Sequence, residues 1–289
     1  MKTAKSIAHT LEYAALVSAS ALLHLLPLDT AAGFMGRAWR FIAPRTKRHP
    51  RARAHLMAAY PQMTMGEADA ILYRMWDNLG RVSAETLLLD RFIKDPARVQ
   101  LRNGAELEEM LNGANAVLVT MHGGNWELVS VPAARVGIEL AGVYQALANP
   151  KSDEFLAKER EPLYKRGLFK KGHSTGKKLI NVLRTGGSPC FVGDVRDKRG
   201  VEIEFFGQKA SATHIPALLA RNAGVPLIAI RAVRTHRSNF EIEAAPVTYP
   251  VTDDKRADAI AGTQALHSTF EKWIRQDPAQ WMWIIRKWD

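Results

Sequence analysis

Two kinds of hydrophobic pattern divide the chain. Short runs at 116–121, 140–144, 189–192 and 225–233 are apolar at nearly every position. Such runs predict strands buried on both faces, as in a parallel sheet. Between them apolar residues recur at helical spacing, as at Ile71, Met75 and Leu79, which predicts amphipathic helices. Helices are expected over 51–89 with Thr64 as an internal cap, over 104–111, after the 116–121 run to about Ala134, from Lys151 through Arg160, from Lys177, and over 257–276. Residues 99–101 predict a short strand, 201–207 alternate, and 240–244 form an antiparallel partner for 225–233. The expected fold class is α/β: a central mixed, largely parallel sheet flanked by helices, with an N-terminal helical membrane-contacting segment.

That segment rests on residues 13–28, which carry no Asp, Glu, Lys or Arg. The run is shorter than the roughly 20 residues of a spanning helix. Lys2, Lys5 and Ala19-Ser-Ala21 sketch a signal peptide, but Glu12 interrupts it. An uncleaved helix lying in the bilayer boundary is the preferred reading, with an ordinary packed helix as the alternative. The expected organisation is an apolar and basic membrane-associating segment over 1–50 and a single α/β domain over 51–289.

Charge supports a membrane surface. The 289 residues are 47% apolar and 24% charged, with a net charge of +11. Nine basic residues fall within 1–60 against only Glu12 and Asp29, so +7 of the +11 lies there. The implied partners are anionic: a phospholipid surface, a phosphorylated substrate or an acidic carrier protein. No recognisable nucleic-acid motif or aromatic interleaving accompanies the basic run at 44–53, so nucleic acid is not an expected partner. A single cysteine, Cys190, excludes an internal disulfide and sits in an apolar strand, as a buried structural thiol would.

The candidate chemistry lies where the 116–121 strand ends. His122 follows it, Gly123 and Gly124 permit a sharp turn, and Asn125 can cap a helix opening at Trp126-Glu127. Ligands gather at the carboxyl ends of such strands. Glu127 can fold back on His122, fix its tautomer and make it a general base; otherwise it is a solvated first-turn acid. Gly172-His-Ser174-Thr-Gly176 matches a nucleophile-elbow pattern, but Lys170-Lys171 spoils the preceding strand, and a turn with Ser174 capping the next helix is preferred. No cluster with metal-ligand spacing is visible.

His122-Gly-Gly-Asn-Trp-Glu127 resembles the His-x4-Asp/Glu block of the bacterial lipid A biosynthesis acyltransferases, within the glycerolipid acyltransferase superfamily. Tyr60-Pro61, Trp76, Asn78-Leu-Gly80 and Glu85 resemble the family's pre-catalytic helices. Tyr144 and Asn149 match its next block, although Gln145 and Ala146 replace Arg and Pro. Arg160, Asp194, Phe205-Phe206-Gly207 and Thr213-x-x-Pro216 also fit, with Gly193 and Val195 replacing Pro and Gln. The ending keeps Gln280, Trp281, Trp283 and Trp288, with Ile285 for His and Lys287 for Arg.

The resemblance implies acyl transfer from an acyl carrier protein or coenzyme A thioester to a hydroxyl of a membrane glycolipid, foremost a lipid A precursor. His122 and Glu127 would be catalytic, with backbone amides near Gly123 and Gly124 holding the oxyanion. Asn125, Tyr144, Asn149, Arg160, Asp194, Phe205 and Phe206 would meet substrate. Arg160 would hold a phosphate or be a surface arginine. Asp194 would orient substrate or a catalytic-loop group, or pair with Arg196. Phe205 and Phe206 would line an acyl channel or belong to the core. No cofactor beyond the thioester co-substrate is expected, and the location would be the cytoplasmic face of the bacterial inner membrane. The substitutions leave open another acceptor, such as a phosphoinositol mannoside or an aminolipid, and a non-catalytic membrane-binding protein.

Overall fold

A computed structural model describes residues 2–102, 104–111 and 113–288. Among these residues the main sheet has seven strands. In chain order they are β1 (Val99–Leu101), β2 (Val117–Thr120), β3 (Leu140–Tyr144), β4 (Leu168–Lys170), β5 (Ser188–Val192), β8 (Leu227–His236) and β9 (Asn239–Pro246). Their spatial order is β1-β9-β8-β2-β5-β3-β4, and every pairing is parallel except β8 with β9. A separate hairpin joins β6 (Val201–Phe205) to β7 (Gln208–Ala212).

The hydrophobic runs fall in the buried centre as their composition requires. All four residues of β2 are buried, and the strand serves both faces at once. Val117 and Val119 join one apolar cluster, while Ala116 and Leu118 join the other. The first cluster takes α8 (Thr175–Arg184), α9 (Ile215–Ala223) and α10 (Lys255–Gln276), through Leu179, Ala217 and Leu266 among others. The second takes α1 (Lys2–His24), α2 (Leu28–Ile42) and α5 (Leu89–Lys94), with α7 (Pro150–Arg160) packed on it through Phe155 and Leu156. The expected helix over 51–89 divides into α3 (Arg48–Ala59) and α4 (Met65–Leu87), and α6 is Gly104–Leu111. Thr64 caps α4 as a full capping box with Glu67.

The expected helix after β2 is instead two 3-10 segments, Trp126–Ser130 and Ala133–Val136. Pro132 between them has no amide to donate, so no α-helical ladder runs through the segment.

Helix α1 is long and apolar enough, by length and composition, to be a candidate membrane-contacting segment over Ser6–His24. Ile7, Leu11 and Leu22 are exposed on it, while Tyr13, Leu16, Ser20 and Leu23 turn inward. Asn149 donates to the His9 carbonyl (2.8 Å), and Tyr13 meets Phe155 edge-on, so the inward face is docked along α7.

Helix α2 crosses α4 at a point where two glycines meet. A Cβ at Gly80 would lie 2.4 Å from the Met35 carbonyl oxygen and 2.8 Å from the Gly36 Cα. Alanine at 80 would ordinarily favour a helix by about 1 kcal/mol. Here overpacking outweighs that gain: Gly80→Ala is expected to lower the unfolding free energy by about 3 kcal/mol, read as a shifted chemical denaturation midpoint.

Candidate active site

The position of the site follows from strand pairing. Strands β2 and β5 pair in parallel, with Leu118 opposite Cys190 and Thr120 opposite Val192. Both chains continue two residues past these strands, to His122 and Asp194. The pairing separation is 72 residues, and so is that of His122 and Asp194. The two side chains therefore arrive level at the carboxyl edge of the sheet. The Gly193 amide donates to the Thr120 carbonyl (2.8 Å), and a Cβ at 193 would come within 2.4 Å of Val119 Cγ1.

His122 Nδ1 lies 2.7 Å from Asp194 Oδ1, and the His122 amide donates to Asp194 Oδ2 (2.8 Å). Trp281 Nε1 donates to Oδ2 from the other side (2.8 Å). Asp194 is fully buried. An ionised carboxylate there accepts only, so Nδ1 carries the proton and Nε2 presents a lone pair. About a fifth of the His122 side chain is exposed, and the edge of Trp126 packs against its ring (centroids 4.9 Å apart). Burial works against the imidazolium, but the charge and hydrogen bond of Asp194, with the more distant charge of Glu127, hold the His122 pKa above its ordinary value of 6.5. Burial acts to raise Asp194, and the bonds from His122 and Trp281 override it and hold that carboxyl below its usual range.

The carboxylate bonded to His122 is thus Asp194, which corrects the expected His122–Glu127 bond. Glu127 is buried and carries a two-pronged bond from Arg160, at 2.9 Å from Nε and 2.5 Å from Nη2. The 3-10 turn leaves its side chain facing the end of α7, where a guanidinium fork matches it better than one ring nitrogen. Arg160 is therefore not a free surface arginine: its Nε and Nη2 are engaged with Glu127. Asp194 makes no pair with Arg196; it holds the His122 ring and backbone instead.

The glycines do not supply the expected oxyanion donors. The Gly123 amide donates to the Met121 carbonyl (2.7 Å), and the Gly124 amide to the Gln280 carbonyl (2.9 Å). Gly124 has φ +58, and a Cβ there would lie 1.7 Å from the Ala232 carbonyl oxygen. Its role is the close passage of two backbones. Asn125 caps the turn by accepting from the Glu127 amide (3.2 Å).

Behind the turn lies a buried polar network. Asn125 donates to Glu85 (2.9 Å), and Arg234 grips Glu85 and donates from Nε to Asn78 (2.8 Å). Asn78 in turn donates to the Gly124 carbonyl (2.9 Å), and Gln280 bonds the backbone of Arg234. Arg234 escaped sequence reasoning; its one signal was a charge at the far end of an apolar strand. The closing residues lie over the site, with Gly123 bridging Trp281 and the Met282 amide donating to the His122 carbonyl (3.0 Å).

Other residues expected to meet substrate make contacts of their own within the fold. Tyr144 reaches Asp153 (3.4 Å), and buried Asn149 caps α7 and bonds α1. Phe205 is wholly buried among Trp281, Trp288 and His267, which assigns it to the core. Phe206 takes φ +55 at the tip of the β6–β7 hairpin, a conformation an L-residue rarely holds. Its ring packs on Tyr60 and Trp283 and walls an open apolar groove of about 840 Å³ with Met63 and Ile71. Cys190 is buried, and burial with the Glu127 charge pushes its thiol up to about 12, as an inert core cysteine requires. Ser174 is exposed with relaxed helical angles and no capping bond, so neither a nucleophile elbow nor the expected cap forms. No cluster able to hold a metal occurs among the described residues.

The family model for bacterial lipid A biosynthesis acyltransferases matches residues 1–289. The chain belongs to that family. Over 188 residues it is also 28% identical to phosphatidylinositol mannoside acyltransferases from two strains of Mycobacterium tuberculosis. That similarity covers 61% of this chain and 55% of those proteins, so it spans little more than half of the relatives' length.

The two carboxylates of this lipid A acyltransferase family member differ in how they touch the histidine, and titration separates them. Asp194→Asn is expected to lower the His122 titration midpoint markedly, followed by NMR of labelled imidazole. Glu127→Gln is expected to lower it less, because its charge acts only through space.

Proposed function

We propose that the protein transfers a fatty acyl group from a thioester to a hydroxyl of a membrane glycolipid, with His122 as general base. The bond between buried Asp194 and His122 Nδ1 carries this reading, because it leaves Nε2 as the basic nitrogen at a strand end. Family membership supplies the reaction class. The acceptor hydroxyl gives its proton to Nε2 as its oxygen attacks the thioester carbonyl. The tetrahedral intermediate then expels the thiolate, the carbon–sulfur bond breaks, and the imidazolium returns the proton to sulfur. An ester and a free thiol result, with no covalent enzyme intermediate. Asp194 keeps the tautomer fixed and supports the imidazolium between the two steps.

The family points to a lipid A precursor as acceptor. The mycobacterial relatives are named for a phosphatidylinositol mannoside, which makes such a glycolipid the second reading. Helix α1, with its exposed apolar face, would bring the site to a bilayer at the cytoplasmic face of the inner membrane. The groove beside Phe206 has the apolar lining an acyl chain requires.

Mass spectrometry of membrane lipids from cells with and without the chain decides the acceptor. Loss of one acyl group from lipid A supports the first reading, loss from another glycolipid the second, and no lipid change defeats both. His122→Ala is expected to reproduce the loss, with transfer reduced by about 10³-fold or more in purified protein.

The pH dependence has a defined sign. His122 must be neutral to accept the proton, and its pKa lies above 6.5. The rate constant kcat/KM is expected to rise with pH along an acid limb centred above 6.5. In Asp194→Asn that limb should move to lower pH while the plateau falls.

A further inference from the structure

One surface takes no part in the site described above. From residue 162 to residue 193 the chain carries seven lysines and arginines and no acid. The fold gathers part of this stretch into an open groove of about 550 Å³ between α8 and the approach to β4. Lys165, Lys177 and Lys178 are exposed along it, with Asn181 and half-buried Phe169 as its uncharged lining. Lys178 Nζ stands 5.3 Å from the Phe169 ring centroid. Arg166 pairs with Glu139 (2.6 Å), whereas among the described residues no carboxylate pairs with Lys165, Lys177 or Lys178. The field of this face is therefore largely uncompensated.

Its place in the fold argues against the bilayer as its partner. Helix α1 packs with α7 on the sheet face that holds Leu118, and α8 packs on the opposite face, with Val117 and Val119. A membrane meeting the exposed side of α1 lies across the sheet from the α8 groove. Lys177 and Lys178 stand in the first turn of α8 and Lys165 precedes β4, so the cations come from two separate elements, on long flexible stems. Such a surface suits a broad acidic face better than a single phosphate. Finally, β4 lies three strands from β2, about 14 Å away at ordinary strand spacing. A donor held there must present its thioester on an extended arm to reach His122.

We propose that the groove between α8 and β4 docks the acidic surface of an acyl carrier protein, the donor of the acyl group. This rests on the acyl-transfer reading and adds the place on the fold where the carrier attaches. The uncompensated lysines steer the carrier in and hold it weakly, so the interaction weakens with salt.

The test uses the full-length protein in detergent and the triple variant Lys165→Glu/Lys177→Glu/Lys178→Glu. All three side chains are exposed, and none belongs to the His122 site. Binding of fluorescent acyl carrier protein is measured by anisotropy at low and high salt. Transfer is measured with acyl carrier protein and with coenzyme A bearing the same acyl chain. The expected result is carrier binding and carrier-dependent kcat/KM reduced about tenfold or more, with transfer from the coenzyme A thioester within about twofold of wild type. Unchanged carrier binding, or equal losses with both donors, would overturn the proposal. So would retained carrier binding with lost binding to phosphatidylglycerol vesicles, which would make a lipid headgroup the partner. Wild-type protein that transfers from neither donor would instead overturn the acyl-transfer reading, and the anisotropy arm would still decide the docking surface.

Discussion

The parallel pairing of β2 with β5 is the constraint on which the site depends. It fixes the level of His122 against Asp194 by main-chain hydrogen bonds, before any side-chain preference acts. A one-residue slip of that pairing would turn one partner to the other face of the sheet. The pairing is hard to slip, because both faces of β2 are buried and its residues serve two different clusters. Asp194 would be costly as a buried charge if it were unpaired. It receives three donors, two from His122 and one from Trp281, and these let it stay ionised in the interior.

A second requirement follows from the first. His122 must be held at a tight turn whose own backbone groups are satisfied. The chain meets this with residues far apart in sequence: Asn78 and Glu85 from α4, Arg234 from β8, and Gln280 to Met282 from the closing segment. The closing segment thus has a role beyond covering the core. It supplies the indole that bonds Asp194 and the carbonyl that takes up the Gly124 amide. Beneath it, fully buried Lys287 bonds Nε2 of His267 (3.0 Å), and His267 Nδ1 lies 2.8 Å from the Thr263 carbonyl. Burial lowers Lys287 to about 8, with the Asp194 charge acting in the opposite direction.

Much of the fold was legible because strand burial and helix periodicity are local signals. The 116–121, 140–144 and 189–192 runs became β2, β3 and β5, and the Thr64 cap formed as its residues required. The position of His122 was legible for a similar reason, since a strand-end His before two glycines is a short local pattern. Its partner was not. Glu127 lies five positions away and looked like the nearest acid, whereas Asp194 is 72 positions away and becomes a neighbour only when two strands pair. The hydrogen-bond partners of the Gly123 and Gly124 amides were hidden for a related reason. Whether an amide faces a ligand or a carbonyl depends on what packs over it, and that is the far C-terminal segment.

The acid of the motif still has a physical part to play without touching the ring. Asp194 and Glu127 each carry a negative charge, Arg160 a positive one, so the cluster around neutral His122 holds one net negative charge. Protonation of His122 brings that total to zero, which favours the imidazolium in a low-dielectric surrounding. Without Arg160, Glu127 would be a buried carboxylate with no guanidinium to balance it. Arg160 pins Glu127 against α7, whose other end is bonded through Asn149 to α1. The charge balance around His122 and the seating of α1 thus share one short helix, so a change at either end of α7 reaches both.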